Sequence, residues 1–290
     1  MALSSRHPWL YRLSVERQQA LRTLRWRLAG PRLARTRSAD NARFAFPVAR
    51  HRSILLRQLG DVDMTLQHNK VTNLRLAVAR LDKIVIAPGQ TFSFWYLIGE
   101  PTAARGFVEG LLIHSGRMAR GVGGGLCQLS NLIYWLALHT PLTIIERHHH
   151  QFDAFPDSGR VLPFGSGATV FYNYVDLQIA NHTDQAFRLS LWLTTTDLCG
   201  SIESDAPVAE KYHVRERDHR FVRRDGRLYR ENRLYREVRD RATGNRLREE
   251  FITHNWAPVM YALPPELAAT VVDEDVPAGA PPPATSLPPG

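Results

Sequence analysis

Gly121-Val122-Gly123-Gly124-Gly125-Leu126-Cys127-Gln128-Leu129-Ser130-Asn131-Leu132-Ile133-Tyr134-Trp135 is the stretch from which the rest of the chain is best read. Its glycines admit positive φ and close approach by another group. Leu129, Leu132, Ile133 and Leu136 then recur at helical spacing, with Tyr134 and Trp135 on other sides, and Pro141 ends the run. This pattern predicts a central, buried helix over about 127–139. Cys127 falls at its start, where unpaired N–H groups and the helix dipole favour negative charge and bias a thiol toward thiolate.

Working outward, Lys83-Ile84-Val85-Ile86-Ala87 reads as a strand closed by Pro88-Gly89. Aromatics at alternate positions, Phe92, Phe94 and Tyr96, suggest an extended segment burying one face, and 107–113 a further strand. Residues 66–82 predict a helix from about Thr72. Downstream, 142–146, 168–172, 175–179 and 187–194 read as strands, the last with Phe187, Leu189, Leu191 and Leu193 on one face. From about 203 charged residues dominate, and Asp225-Gly226 and Thr243-Gly244-Asn245 are hairpin signals for a small antiparallel sheet. The expected fold class is α+β: a mixed or antiparallel sheet packed on the helix that starts near Cys127. The expected divisions are a basic helical arm at 1–43, an α+β core at 44–202, a charged β-rich extension at 203–263, and a disordered Pro/Ala-rich tail at 264–290.

Net charge is +9 over 290 residues, but residues 1–37 hold nine arginines and one glutamate, so the body is nearly neutral. That argues against a nucleic-acid-binding body. Residues 9–28 predict an amphipathic helix with Leu10, Leu13, Leu21, Leu24 and Leu28, stopped by Gly30-Pro31. Such a helix either lies on an anionic membrane surface or packs on the body with its arginines in solvent. No apolar run reaches the roughly eighteen residues of a membrane span, and no secretory signal is visible. Two cysteines, Cys127 and Cys199, give no disulfide scaffold. The expectation is a cytoplasmic protein, with peripheral membrane contact through 9–28 as the alternative to a helix packed on the body. The triple glycine lacks the Gly-Lys-Ser/Thr of a phosphate loop.

Several of these segments together resemble the VanW family. They are Gly123-Gly124-Gly125-Leu126-Cys127-Gln128-Leu129-Ser130, Glu146-Arg147-His148-His149-His150, Pro88-Gly89-Gln90-Thr91-Phe92-Ser93-Phe94-Trp95, and Ala168-Thr169-Val170 with Asp176-Leu177. The likeness extends over roughly residues 50–260. It implies a link to cell-wall precursor metabolism or glycopeptide resistance, and it supplies no reaction. Family members usually carry an aspartate directly before Ala-Thr-Val, where this chain has Gly167; Asp176 or Asp153 would have to take over any role of that carboxylate.

The residues define one sharp expectation and one bland one. In the sharp one, Cys127 is a nucleophile, His150 or His148 its base and Asp176 the group that orients the imidazole. Gln128 and nearby backbone N–H groups then stabilise an oxyanion, for hydrolysis or acyl transfer on an amide or peptide. Gly124, Gly125, Ser130, Glu146, Arg147 and Trp95 would hold the substrate, a small peptide or cell-wall precursor, without a cofactor. In the bland one, Cys127 is a small buried side chain on a packed helix, and the cleft is a noncatalytic peptide- or muropeptide-binding module. A metal on His148 and His150, completed by His114, His139 or Cys127, is a third option that the residues leave open.

Overall fold

The structure is a computed structural model that describes residues 8–29, 32–56, 64–114, 117–149, 151–154, 156 and 162–274. In chain order, α1 (Pro8–Ala29) precedes β1 (Phe46–Ile54), α2 (Met64–Leu81), β2 (Ile84–Ile86), β3 (Thr91–Ser93) and α3 (Phe94–Ile98). A hairpin of β4 (Glu109–His114) and β5 (Arg117–Val122) leads to α4 (Cys127–Leu138), β6 (Thr143–Glu146) and β7 (Gln178–Ala180). Then follow β8 (Phe187–Leu193), β9 (Asp197–Ser204), β10 (Glu210–Arg224), β11 (Arg227–Asp240), β12 (Arg246–Pro258), α5 (Pro265–Ala268) and β13 (Val272–Asp273). The fold is α+β. Its sheets run β1-β9-β8-β2, β12-β11-β10-β13, β3-β7-β6 and β4-β5. Pairing between strands is antiparallel except for β10 with β13.

The central helix begins at Cys127, and Leu129, Leu132, Ile133 and Leu136 are buried along it. It lies on β1 and β9, while α2 covers β8 and the β4–β5 hairpin. Close packing is possible because β9 carries Gly200, where an added Cβ would come 2.9 Å from a Leu136 methyl. β8 turns Phe187, Leu189 and Leu191 into this core. Its other face is buried too: Arg188 Nε and Ser190 Oγ donate to Glu203 at 3.1 and 2.7 Å. A buried charge is tolerated there because it is paired and hydrogen-bonded.

The C-terminal sheet is long rather than small, with strands of 15, 14 and 13 residues. Its charge is organised across strands, as in Arg236 with Glu250 and Arg248 with Glu210. Tyr212, Val222, Leu234 and Val238 are buried within it.

The structure departs from expectation in five places. α2 starts at Met64, well ahead of Thr72. Residues 94–98 are helical, not extended, because Ser93 Oγ accepts from Tyr96 N and Asp176 Oδ1 from Trp95 N, satisfying two first-turn donors. Residues 168–175 form isolated bridges, His148 with Thr169 and Phe171 with Val175, because a turn at Asn173 (φ 48°) folds the chain back on itself. Residues 32–38 belong to the body: Ala34 N donates to Thr91 O, Val85 N to Thr36 O, and Ala34 is fully buried. Within 264–290, α5 and β13 are regular structure; 275–290 lie outside the described residues.

α1 is a helix as expected, but its docking face is polar. Gln19 Nε2 donates to Tyr172 O (2.9 Å), Arg22 reaches Glu146, and Asn173 Nδ2 donates to Gln19 O and Thr23 Oγ1. Trp26 packs edge-on against Tyr96 at 5.4 Å. Leu13, Leu21, Leu24 and Leu28 face solvent.

Candidate functional site

The glycine loop is built by backbone fit. Hairpin β4–β5 carries Gly110 past Gly124 so closely that a Cβ on Gly124 would lie 2.2 Å from the Gly110 carbonyl carbon. Asn73, fully buried on α2, fixes this crossing. Its Nδ2 donates to Val108 O and Gly124 O (3.0 and 2.9 Å), and its Oδ1 accepts from Val108 N at 2.9 Å. A Cβ on Gly125 would strike the stem of Lys70 at 2.2 Å, and Lys70 Nζ donates to Gln67 Oε1 at 2.7 Å.

Beside this loop runs a cleft of about 1490 Å³. One wall is the loop and the start of α4, with Cys127, Gln128, Asn131 and Leu132; the opposite wall includes Phe164, Gly165, Asn255 and Trp256. The second wall is held by Asn232 and Asn255, whose Nδ2 groups donate to Phe164 O at 2.8 and 3.3 Å. Arg147 clamps the same loop to the α4 side. Its Nε donates to Gly167 O (2.9 Å), its Nη2 to Gly165 O, and its guanidinium lies over Tyr134.

Cys127 is partly buried, and its Sγ contacts Val170 O at 3.8 Å. Burial pushes its thiol up; hydrogen bonding to the backbone of Val170 and of Cys127 itself pulls the other way without offsetting it. Desolvation thus works against the expected bias toward thiolate. Gln128 N donates to Gly125 O at 3.1 Å, and its amide donates to Ser53 Oγ and Ile54 O on β1 at 2.9 and 2.8 Å. Ser130 Oγ donates to Ala168 O at 2.6 Å. Asn131 Oδ1 accepts from Ala168 N at 2.7 Å. Each of these groups already binds backbone or side chain of this chain.

A second polar cluster forms behind Trp95 and Tyr172. Arg22 of α1 makes a two-pronged ion pair with Glu146, both contacts at 2.7 Å, and its Nη1 lies 3.6 Å from Asp176. Glu146 also accepts from Asp176 N at 3.0 Å and contacts His148 Nε2 at 3.3 Å. Burial alone would raise the Glu146 carboxyl, but the His148 and Arg22 hydrogen bonds and the Arg22 charge hold it down at about 2. Asp176 is wholly buried and accepts from Ser93 Oγ (2.6 Å), Trp95 N (3.0 Å), Leu177 N (2.9 Å) and Gln178 Nε2 (3.2 Å). Burial raises its carboxyl.

The expected site residues thus divide. Cys127, Gln128, Gly125 and Trp95 line the cleft; Glu146, His148 and Asp176 gather at the α1 contact. Strand alternation explains the split: His148 turns to Glu146, and His149 lines the cleft. His150 lies outside the described residues. No hydrogen bond joins Cys127 to a histidine among the described residues; its sulfur bonds to Val170 O. Asp153 lines the cleft while bonded to Tyr261 OH (2.8 Å) and paired with Arg230 (3.3 Å). Among the described residues no three His, Cys, Asp or Glu side chains cluster as metal ligands. Gly167 faces Asn131, whose Oδ1 would lie 2.8 Å from an added Cβ. Missed from sequence were Asn73 and Arg22. Asn73 had a signal, a polar residue beside Leu74 in the buried row of α2; Arg22 had none among so many arginines.

A family model described as VanW like protein matches residues 69–203, which take in most of α2, the glycine loop, α4 and Asp176. The chain is 33% identical over 202 residues to the vancomycin B-type resistance protein VanW of Enterococcus faecalis, covering 70% of this chain and 74% of that one. It belongs to the VanW family. Within the VanW-family match lie the glycine loop, Cys127 and both carboxylates; α1 and the β12 wall lie outside it. The chain is also 31% identical over 113 residues to the uncharacterized protein YoaR of Bacillus subtilis, covering 39% of this chain and 36% of that one. No solved structure matches the chain. No helix among the described residues is long and apolar enough to cross a membrane.

Proposed function

We propose that this VanW-family protein is a noncatalytic binding module that holds a peptide or muropeptide in the cleft beside α4. The observation that carries this reading is the state of the polar groups on the Cys127 wall. A nucleophilic site needs a thiolate, a base and unengaged donors. Here burial favours the thiol, the sulfur contacts Val170 O, and Gln128 is committed to Gly125 O and β1. The cleft itself is larger than the several hundred Å³ of a drug-sized site, which suits an extended peptide. Apolar side chains such as Leu112, Val122, Leu126 and Phe152 line it together with many polar ones, among them His51, Gln67, Lys70, Glu100 and His149. The relative's name, vancomycin B-type resistance protein, supports a ligand drawn from cell-wall precursors and a role in glycopeptide tolerance.

The test is calorimetric titration of the full chain with a soluble muropeptide, with mass spectrometry of the ligand afterwards. The expected result is saturable binding, weakened by Trp256→Ala, with the ligand recovered intact. Ligand cleaved by the wild type but not by Cys127→Ser would replace this reading with cysteine-dependent hydrolysis or acyl transfer. Absence of binding would remove both.

A further inference from the structure

α1 turns its described leucines the wrong way for a helix packed on a protein body. At 100° per residue, Gln19, Arg22, Thr23 and Trp26 form one stripe, and this is the stripe that touches the body. Leu13, Leu21, Leu24 and Leu28 fall within an arc of about 80° centred on the opposite side. They are 57, 38, 51 and 77% exposed. Arg25 and Arg27 border that arc and Arg17 lies within it, all exposed. Among the described residues none of these three arginines pairs with a carboxylate. A soluble helix normally buries its leucines and shows its charges. This one buries an ion pair and shows both leucines and arginines.

We infer that the outer face of α1 is a docking surface for an anionic lipid bilayer, and that α1 engages it while still seated on the body. Charge selects the partner. Eight of the nine net positive charges belong to residues 1–37, so this face meets a negative surface with attraction and a neutral apolar one without it. Leucines would enter the headgroup–acyl boundary, and Arg25 and Arg27 would lie at phosphate level on either side. Arg17 would reach the phosphates by extending its side chain, as long cationic side chains do at interfaces. Because Gln19, on the inner stripe, lines the cleft, docking in this orientation holds the cleft next to the membrane. The inference does not depend on what the cleft binds.

The experiment is co-sedimentation of the full chain with vesicles of neutral phosphatidylcholine, alone or with about one-third phosphatidylglycerol. Expected is binding to the anionic vesicles that falls steeply between 50 and 500 mM salt, and little binding to neutral ones. Arg17→Gln/Arg25→Gln/Arg27→Gln should lower the partition coefficient roughly a hundredfold, from about 1 kcal/mol per surface cation. Leu21→Ser/Leu24→Ser/Leu28→Ser should lower it at least about tenfold. Both variants leave the inner stripe intact, so unchanged circular dichroism and thermal midpoint are the check that they fold. No binding to anionic vesicles at low salt would overturn the inference, as would binding indifferent to both triple variants. So would light scattering that shows a dimer in the wild type, dissociated by the leucine variant, without vesicle binding; the face would then serve a second copy of the chain.

Discussion

Cys127 and Glu146 head two polar clusters that the sequence places in one site and the structure places in two. Around Cys127 the side chains serve the backbone: Gln128 ties α4 to β1, and Ser130 and Asn131 hold Ala168. Around Glu146 charged side chains meet: a guanidinium from α1 and an imidazole converge on one carboxylate, which also accepts from the backbone N–H of buried Asp176, just before β7. The first cluster holds its shape through neutral hydrogen bonds. The second holds a helix in place through charge, so it is the more sensitive to substitution and to pH.

The largest effect should come from the second cluster. Asp176→Ala removes an acceptor that serves Ser93, Trp95 and Leu177, and it strands Arg22 beside a lone Glu146. Breaking a buried charged network from one side costs about 4 kcal/mol. Urea denaturation should show that loss, with the cap of α3 weakened. A cost below about 1 kcal/mol would mean that Asp176 is not the keystone drawn here.

Next is acid. The folded carboxyl of Glu146 sits at about 2, below its ordinary 4.5. A depressed pKa gives stability that is complete above the unfolded value and is lost as pH falls through the folded one. The contribution is on the order of 3 kcal/mol and should disappear between about pH 4.5 and 2. Amide exchange in α1 should rise across that window, and Arg22→Gln should flatten the rise. An unchanged profile in that variant would detach α1 from the carboxylate.

The first cluster answers to shape. Gly124→Ala forces a methyl onto the Gly110 backbone and should cost about 2 to 3 kcal/mol. Gly226, unlike Gly124, has positive φ, and nothing lies within 4 Å of its added Cβ, so Gly226→Ala should cost only about 1 kcal/mol. A Gly124→Ala cost no larger than that of Gly226→Ala would show that the Gly110 crossing gives way to a methyl.

These contrasts explain what the sequence could reveal. α4 was legible because an apolar row with a glycine loop before it and Pro141 after it is a local pattern. The hairpins at Asp225-Gly226 and 243–245 were legible for the same reason. The short helix at 94–98 was not, since the carboxylate that caps it comes from Asp176, far along the chain. The arm's leucines were legible as a helical face but not as an outward one, because the face that docks was decided by Arg22 meeting Glu146. The cleft's second wall was hidden in a segment that reads only as charge; Asn232 and Asn255 gain meaning when β11 and β12 pair and bring them under Phe164.

The smallest effect is expected at the residue that looked most reactive. Cys127→Ser keeps size nearly constant and leaves the contact to Val170 O available, so stability should change by less than about 1 kcal/mol. Muropeptide binding should be retained. Iodoacetamide at pH 7 should alkylate Cys127 more slowly than it does in the urea-unfolded chain, since burial keeps the thiol protonated. Peptide mapping separates this from labelling at Cys199, which is also free and is buried in β9. Native-state labelling of Cys127 faster than in urea would mean that the sulfur is activated by a group the cleft brings to it, with His51 and His149, which both line the cleft, as candidates. The contrast between the two clusters would then collapse, because the Cys127 wall would be doing chemistry rather than holding shape.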